Sequence, residues 1–338
     1  MGMRLLPARH MNKIMRALTC KAWGPVADLV IEEWDDPVPD DEEVVIDVKA
    51  AGINFPDILI IAGKYQDKIP PPFIPGNEAS GIVSAVGAKV SRFAVGDKAI
   101  VAPRGGAFAE KCKVHQNAAL PLPDELSFEQ AAGFAVTYGT SYHALKQSAE
   151  LQAGETLLVL GAAGGVGVTA VQIGKAMGAR VIAAASSDEK LEFARAAGAD
   201  ELINYSAQPL KETVKELTGG GADVVYDPVG GELAQQALRA LAWHGRYLVV
   251  GFASGDIPSF PANIALLKEA HIVGVWWGTW AAKNPKLQIQ NMTEISALVA
   301  DGKLQPTVTE LFPIEDFEKA FQLITERRAL GKVVLSLS

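Results

Sequence analysis

The chain is short of several things, and each shortage excludes a class of protein. It has two cysteines, Cys20 and Cys112, among 338 residues. Two cysteines make no disulfide framework, so the sequence suits a reducing compartment and a cytoplasmic setting is expected. No apolar run approaches the roughly 18 residues that a membrane helix needs. Lys and Arg are outnumbered by Asp and Glu, 31 to 39, for a net charge of −8. Nucleic-acid surfaces want clustered Lys and Arg, so no such partner is expected. The histidines, His10, His115, His143, His244 and His271, show no ligand spacing, and each reads as a satisfied or solvated side chain. Repeats and low-complexity tracts are missing too.

What remains is the composition of a soluble globular protein, 49% apolar and 21% charged, in a chain long enough for two domains. The N-terminal stretch "MGMRLLPARHMNKIMR" carries Arg4, Arg9, Lys13 and Arg16, and no acid precedes Asp28. It is read as an extension ahead of a natural start at Met11 or Met15, or else as a short organellar presequence. Either way residues 1–14 stand outside the expected fold. From Met15 to about Leu122 short Val- and Ile-rich runs alternate with turn formers. Gly96-Asp97 marks one turn, and Pro70, Pro71, Pro72 and Pro75 forbid regular structure between runs. This is a β-rich, barrel-like module.

At Leu126 the pattern changes. Ser127 and Gln130 have capping-box spacing before a helical run. Strands then alternate with helices: Thr156 to Leu160, a helix from Gly165 to Met177, Arg180 to Ala185, a helix from Ser187 to Ala197, and onward to "GRYLVVG". Such alternation predicts a parallel sheet covered on both faces. A short strand "HIVGVWW" follows, then helices near Ile289–Ala300 and Phe317–Thr325. The last run, "KVVLSL", reads as a strand returning to the first module.

Between the strand at Thr156 and the next helix lie Gly161, Gly164, Gly165, Val166 and Gly167. A glycine turn in that position lets backbone approach a pyrophosphate, and the helix then offers free N–H groups and its positive dipole end. The alternative is that glycine only permits a tight turn. About 20 residues further, NAD-binding units place an acid for the ribose hydroxyls. Here the strand ends in Ala185, Ser186 and Ser187. Asp188 and Glu189 fall in the first helical turn, and Ser186 with Glu189 has capping-box spacing. Without an acid nothing repels a 2′-phosphate, Lys190 can reach one, and Ser186 offers a hydroxyl. NADPH is the expected cofactor.

"GAAGGVG", "LINY", "VVYDPVGG" and "LVVGFASG", with "AAGINFPDILIIAGKY", "PFIPGNEASGIVSAVG" and "VGDKAI" before them, resemble the medium-chain dehydrogenase/reductase superfamily. The resemblance is closest to its zinc-independent quinone oxidoreductase branch, zeta-crystallin-like, and spans nearly everything from Met15 onward. It implies an α/β fold with a GroES-like β-barrel catalytic domain, residues 1–136 rejoined by 281–338, and a doubly wound Rossmann domain over 137–280. It also implies that Lys190, Tyr205 and Arg327 hold the 2′-phosphate, with adjacent Arg328 competing for the last register. Thr140 and the Gly251–Phe252–Ala253 turn fall at the nicotinamide half. The "GVWW" stretch resembles an edge that pairs across a homodimer; the alternative is an ordinary core strand.

The resemblance places Asn54, Asn77 and Val136 where zinc-dependent relatives ligate a metal, and these supply no thiolate, imidazole or carboxylate. No metal is expected. Hydride addition to a simple carbonyl concentrates charge on one oxygen, whereas a quinone or enone spreads it and needs weaker donors. The resemblance places Asn54 and Tyr65 at the nicotinamide as candidate donors. Asp57 is a third catalytic candidate, and its alternative is a helix cap; the alternative for Tyr65 is wall packing. The expected activity is NADPH-dependent reduction of small-molecule quinones or α,β-unsaturated carbonyls. An enoyl-thioester (acryloyl-CoA-type) reductase and a non-enzymatic, crystallin-like nucleotide binder stand as alternatives.

Overall fold

The structure, a computed structural model, describes residues 13–337. The extension or presequence expected over residues 1–14 thus lies, through residue 12, outside the described residues. Its end does not. Lys13 accepts a backbone hydrogen bond from Asp36 at 2.9 Å, and Ile14 opens the strand Ile14–Thr19, antiparallel to Val30–Asp35. Met15 and Ala17 alternate inward against Ala109, a period-2 pattern that burial enforces. The fold therefore begins before Met15.

Two sheets carry the architecture. The long strand Glu43–Ile53 is the hub of the first, pairing antiparallel with Ala79–Val86, Lys111–His115 and Lys332–Ser336. Lys98–Val101 and Ala119–Pro121 continue one side, and Val308–Pro313 runs parallel to Lys332–Ser336 on the other. The second sheet has six parallel strands in the order Glu201–Asn204, Arg180–Ala185, Thr156–Leu160, Ala222–Asp227, Leu241–Val249 and His271–Gly274. Leu157 through Leu160 and Val181 through Ala185 are buried without alternation, because helices cover both faces. The strand order reverses between Thr156–Leu160 and Ala222–Asp227, which opens a crevice at their C-terminal ends.

Two segments differ from the sequence reading. The strand expected over "HIVGVWW" stops at Gly274; from Trp276 the chain turns helical, Trp280 N–H donating to the Trp276 carbonyl at 3.0 Å, and Trp277–Lys283 is a helix. The helix Pro285–Ala300 then packs on Ala135–His143, and Met292, Ile295 and Val299 share a core with Tyr138, Leu157 and Val224. Residues from 281 thus first cover the parallel sheet, and the chain joins the first sheet only at Val308.

Candidate active site

The crevice is a cavity of about 1550 Å³ walled by both sheets. Each residue expected to hold the cofactor lines it: Thr140, Gly164, Gly165, Val166, Gly167, Ser186, Lys190, Tyr205, Gly251, Phe252, Ala253 and Arg327. Asn54 and Tyr65 line it from the opposite wall.

The glycines of the turn have separate jobs. Gly161 leaves the strand with φ +57°, in the left-handed region. A Cβ on Gly167 would stand 2.1 Å from the Gly161 carbonyl oxygen, so Gly167 lets the helix Gly165–Ala176 close on the strand. At Gly164 and Gly165 a Cβ would meet no protein atom nearer than 3.4 and 3.5 Å. Protein packing does not require glycine there, and both face the cavity beside the helix N-terminus, where an anion fits.

Of residues 186–190, Ser186 and Lys190 line the cavity and the acids Asp188 and Glu189 do not. Asp188 instead accepts a hydrogen bond from Asn204 Nδ2 at 2.8 Å. The capping reading of Ser186 with Glu189 is corrected: Ser187 is the N-cap, its Oγ accepting from Lys190 N–H at 3.4 Å. The helix begins one residue later than that spacing assumed, which leaves Ser186 on the cavity wall. Lys190 Nζ donates to Ser186 Oγ at 3.1 Å and to the Arg327 carbonyl at 2.7 Å. Arg327 sits at φ +56° and its guanidinium donates to the Ser254 carbonyl at 2.8 Å. Arg328 pairs instead with Glu326 at 2.7 Å and does not line the cavity. The Tyr205 phenol lies against Ser186, and burial raises its pKa.

The opposite wall is a buried polar cluster. Asn54 Nδ2 donates to Glu78 Oε1 at 2.8 Å, and Val136 N–H donates to Glu78 Oε2 at 2.9 Å. Lys332 Nζ reaches Asn54 Oδ1 at 2.6 Å, the Ile53 carbonyl at 2.9 Å and Glu78 Oε1 at 2.5 Å. Asp57 is the N3 residue of a capping box on the helix Phe55–Ile61, accepting from Asn54 N–H at 2.7 Å and from Asn77 Nδ2 at 2.5 Å. It is fully buried and does not line the cavity, so the catalytic reading of Asp57 is corrected to the helix-cap alternative. Burial pushes its carboxyl up to about 7, against the pull of the Asn54 amide and Lys332. Tyr65 faces the cavity with its phenol pKa raised by burial and opposed by Trp276.

Sequence reasoning missed Lys332, Trp276 and Trp277 as wall residues. Lys332 looked like a charge opening a strand, and the tryptophans were assigned to a strand rather than to the start of a helix. The Cβ-free surface of Gly139 against the Trp277 indole, where a Cβ would come within 2.7 Å, is a signal legible only in three dimensions.

Comparison with known proteins places this geometry. Residues 40–151 match the alcohol dehydrogenase GroES-like domain, and residues 165–294 match the family described as zinc-binding dehydrogenase. Quinone oxidoreductase-like protein 2 homolog of Nematostella vectensis is 41% identical over 330 residues, 96% of this chain and 90% of its own. The Pseudomonas syringae quinone oxidoreductase structure superposes with a TM-score of 0.90 at 32% identity, covering 96% of this chain and all of that one. The Escherichia coli quinone oxidoreductase, solved in complex with NADPH, gives 0.85 at 29% identity, with 96% of this chain and 100% of that chain covered. The chain belongs to the medium-chain dehydrogenase/reductase superfamily, a family of oxidoreductases. Within it the chain stands in the quinone oxidoreductase branch, as an enzyme with a GroES-like module and a Rossmann-like parallel sheet.

Proposed function

We propose that the protein reduces quinones or α,β-unsaturated carbonyls with NADPH and without zinc. The observation that carries this reading is the reacting wall of the cleft, where Asn54 and Tyr65 stand as neutral donors and a lysine ammonium fills the centre behind them. Zinc wants thiolate, imidazole or carboxylate in a tetrahedron. Asn54 and Asn77 are amides engaged by Glu78 and Asp57, and Val136 offers a backbone N–H. Glu78, the carboxylate at the centre, is paired with Lys332. These residues do not fit the metal of the matched family's description.

NADPH fits. The N–H groups at Gly164–Gly167 and the helix behind them suit its pyrophosphate, and Lys190, Tyr205, Arg327 and Ser186 suit its 2′-phosphate. Thr140 and Gly251–Ala253 would border the nicotinamide, which when bound supplies hydride. The wall then has to stabilise negative charge arriving on the acceptor oxygen. Asn54 and Tyr65 donate hydrogen bonds to it, and a conjugated acceptor spreads the charge enough for neutral donors to serve. An enoyl thioester is the weaker reading. CoA phosphates want a cluster of cations, and of the cavity's Arg104 and Lys283 the first is paired with Asp67.

The working unit we propose is a cytoplasmic homodimer. His271–Gly274 is an edge strand, and Ile272 (40% exposed), Trp276 and Leu266 leave apolar surface beside it, which supports pairing with a second copy. No described helix is long and apolar enough to cross a membrane.

Metal analysis with activity tests the metal claim. Purified protein should hold substoichiometric zinc and keep its quinone turnover in chelator. One tightly held zinc per chain, lost together with activity, would overturn it.

A further inference from the structure

The reading of Asn54 as the donor to the acceptor oxygen leaves a question that the structure answers: what orients that amide. An amide can turn over and present oxygen instead of N–H. Here each end meets a partner that accepts one orientation only. The Lys332 ammonium can only donate, so it must face Oδ1, at 2.6 Å. The Glu78 carboxylate accepts, so it takes Nδ2, at 2.8 Å. Glu78 is itself fixed by Lys332 at 2.5 Å and by Val136 N–H at 2.9 Å. One Nδ2–H then remains, on a side chain that lines the cleft.

The fold makes room for this lysine. A Cβ on Gly52 would stand 2.7 Å from Lys332 Cε, and one on Gly133 would stand 2.4 Å from its Cγ. Gly52 lies inside the strand Glu43–Ile53, where glycine is otherwise unfavourable, and Gly133 closes the helix Phe128–Ala132. Two glycines thus border the channel through which the Lys332 stem reaches the interior. The ion pair it forms is buried, with side-chain exposures of 7% for Lys332 and 0% for Glu78. Buried pairs of this kind are often no more stabilising than apolar residues of the same volume, so stability alone does not account for it.

We propose that Lys332 is a positioning residue for the reduction. Its ammonium, held by Glu78 and the Ile53 carbonyl, locks the Asn54 amide with an N–H toward the cleft. Its charge also polarises that amide through Oδ1 and strengthens the N–H as a donor. Although Lys332 borders the cavity, its three protons are met by Asn54, Glu78 and the Ile53 carbonyl, so it acts through the Asn54 amide. This rests on the donor role proposed for Asn54.

The test is a double-mutant cycle on the intact enzyme, read as turnover of 1,4-benzoquinone and as NADPH affinity measured separately. Lys332→Met alone strands Glu78 as a buried unpaired charge, so the primary variant is Glu78→Gln with Lys332→Met, neutral and close in volume. It should fold with a melting temperature near that of the parent. Its kcat should fall about 10- to 150-fold, the worth of one charge-assisted hydrogen bond, with NADPH affinity unchanged. In an Asn54→Ala background the same pair of changes should cost almost nothing further, because the group they position is gone. A loss that multiplies in that background, an unchanged kcat, or a failure to fold would each overturn the proposal, the last by making the pair a folding element. Weakened NADPH with unchanged kcat would make Lys332 a cofactor ligand and overturn it too. Normal turnover in Asn54→Ala alone would instead sink the donor reading beneath it.

Discussion

Replacing Lys190 with alanine should separate the two nicotinamide cofactors if the proposed 2′-phosphate site is right. Lys190 Nζ lies on the cavity wall, 3.1 Å from Ser186 Oγ and 2.7 Å from the Arg327 carbonyl. Arg327 keeps its own anchor on the Ser254 carbonyl, so the variant removes one cation and leaves the other in place. One charge-assisted hydrogen bond is worth about 1.5–3 kcal/mol, so NADPH should bind roughly 10- to 150-fold more weakly. NADH has no 2′-phosphate and should bind as before. Fluorescence or calorimetric titration of both cofactors reads the two affinities directly. Equal losses for NADPH and NADH would mean that Lys190 supports the loop and not the phosphate. An unchanged NADPH affinity would refute the assignment outright.

Asn54→Ala should lower kcat about 10²- to 10³-fold, as loss of a comparable oxyanion donor does elsewhere, with little change in NADPH binding; a loss confined to NADPH affinity would contradict the donor role. Tyr65→Phe keeps the ring and removes the hydroxyl, and should lower kcat about tenfold if that hydroxyl is a second donor; unchanged turnover would reduce Tyr65 to wall packing. Asp57 gives a pH signature in stability. Its carboxyl titrates near 7 in the fold instead of at 3.8, so between those values the folded state holds a proton that the unfolded chain has lost. Stability therefore falls as pH rises through that window, by about 4 kcal/mol at most from three pKa units. Asp57→Asn lacks that slope, and its melting temperature relative to the parent should improve from about pH 5 to about pH 8. A difference independent of pH would show that Asp57 titrates normally.

That the residues proposed to hold the cofactor would line one cavity was legible in the sequence, because the signals are local. A glycine turn between an apolar strand and a helix, and a strand ending without an acid, both lie within about 30 residues of chain, the span of one βαβ unit. The parallel sheet was legible for the same reason, through central strands such as Thr156–Leu160 and Arg180–Ala185 that are apolar and buried without alternation. The errors fall where geometry depends on distant contacts or on one residue of register. Ser186 and Glu189 matched a capping box, yet Ser187 took the cap, because β-extended backbone persists one residue further. Asp57 looked catalytic beside Asn54, but at N3 its carboxylate bends back to the Asn54 N–H. Lys332 reaches Asn54 across 278 residues of chain, and no local pattern marks a strand lysine that turns inward. Trp276 and Trp277 followed apolar residues that read as strand, and packing of Trp277 on Gly139 belongs to a helix instead.

The most direct measurement of the central claim is NADPH oxidation by zinc-free protein, followed by nicotinamide absorbance against a panel of acceptors. Quinones or enones should be reduced, and should outperform simple aldehydes, if the proposed neutral donors serve in place of a Lewis acid. Tight NADPH binding without oxidation by any quinone, enone or enoyl thioester would contradict the account, as would turnover of aldehydes that appears only when zinc is added.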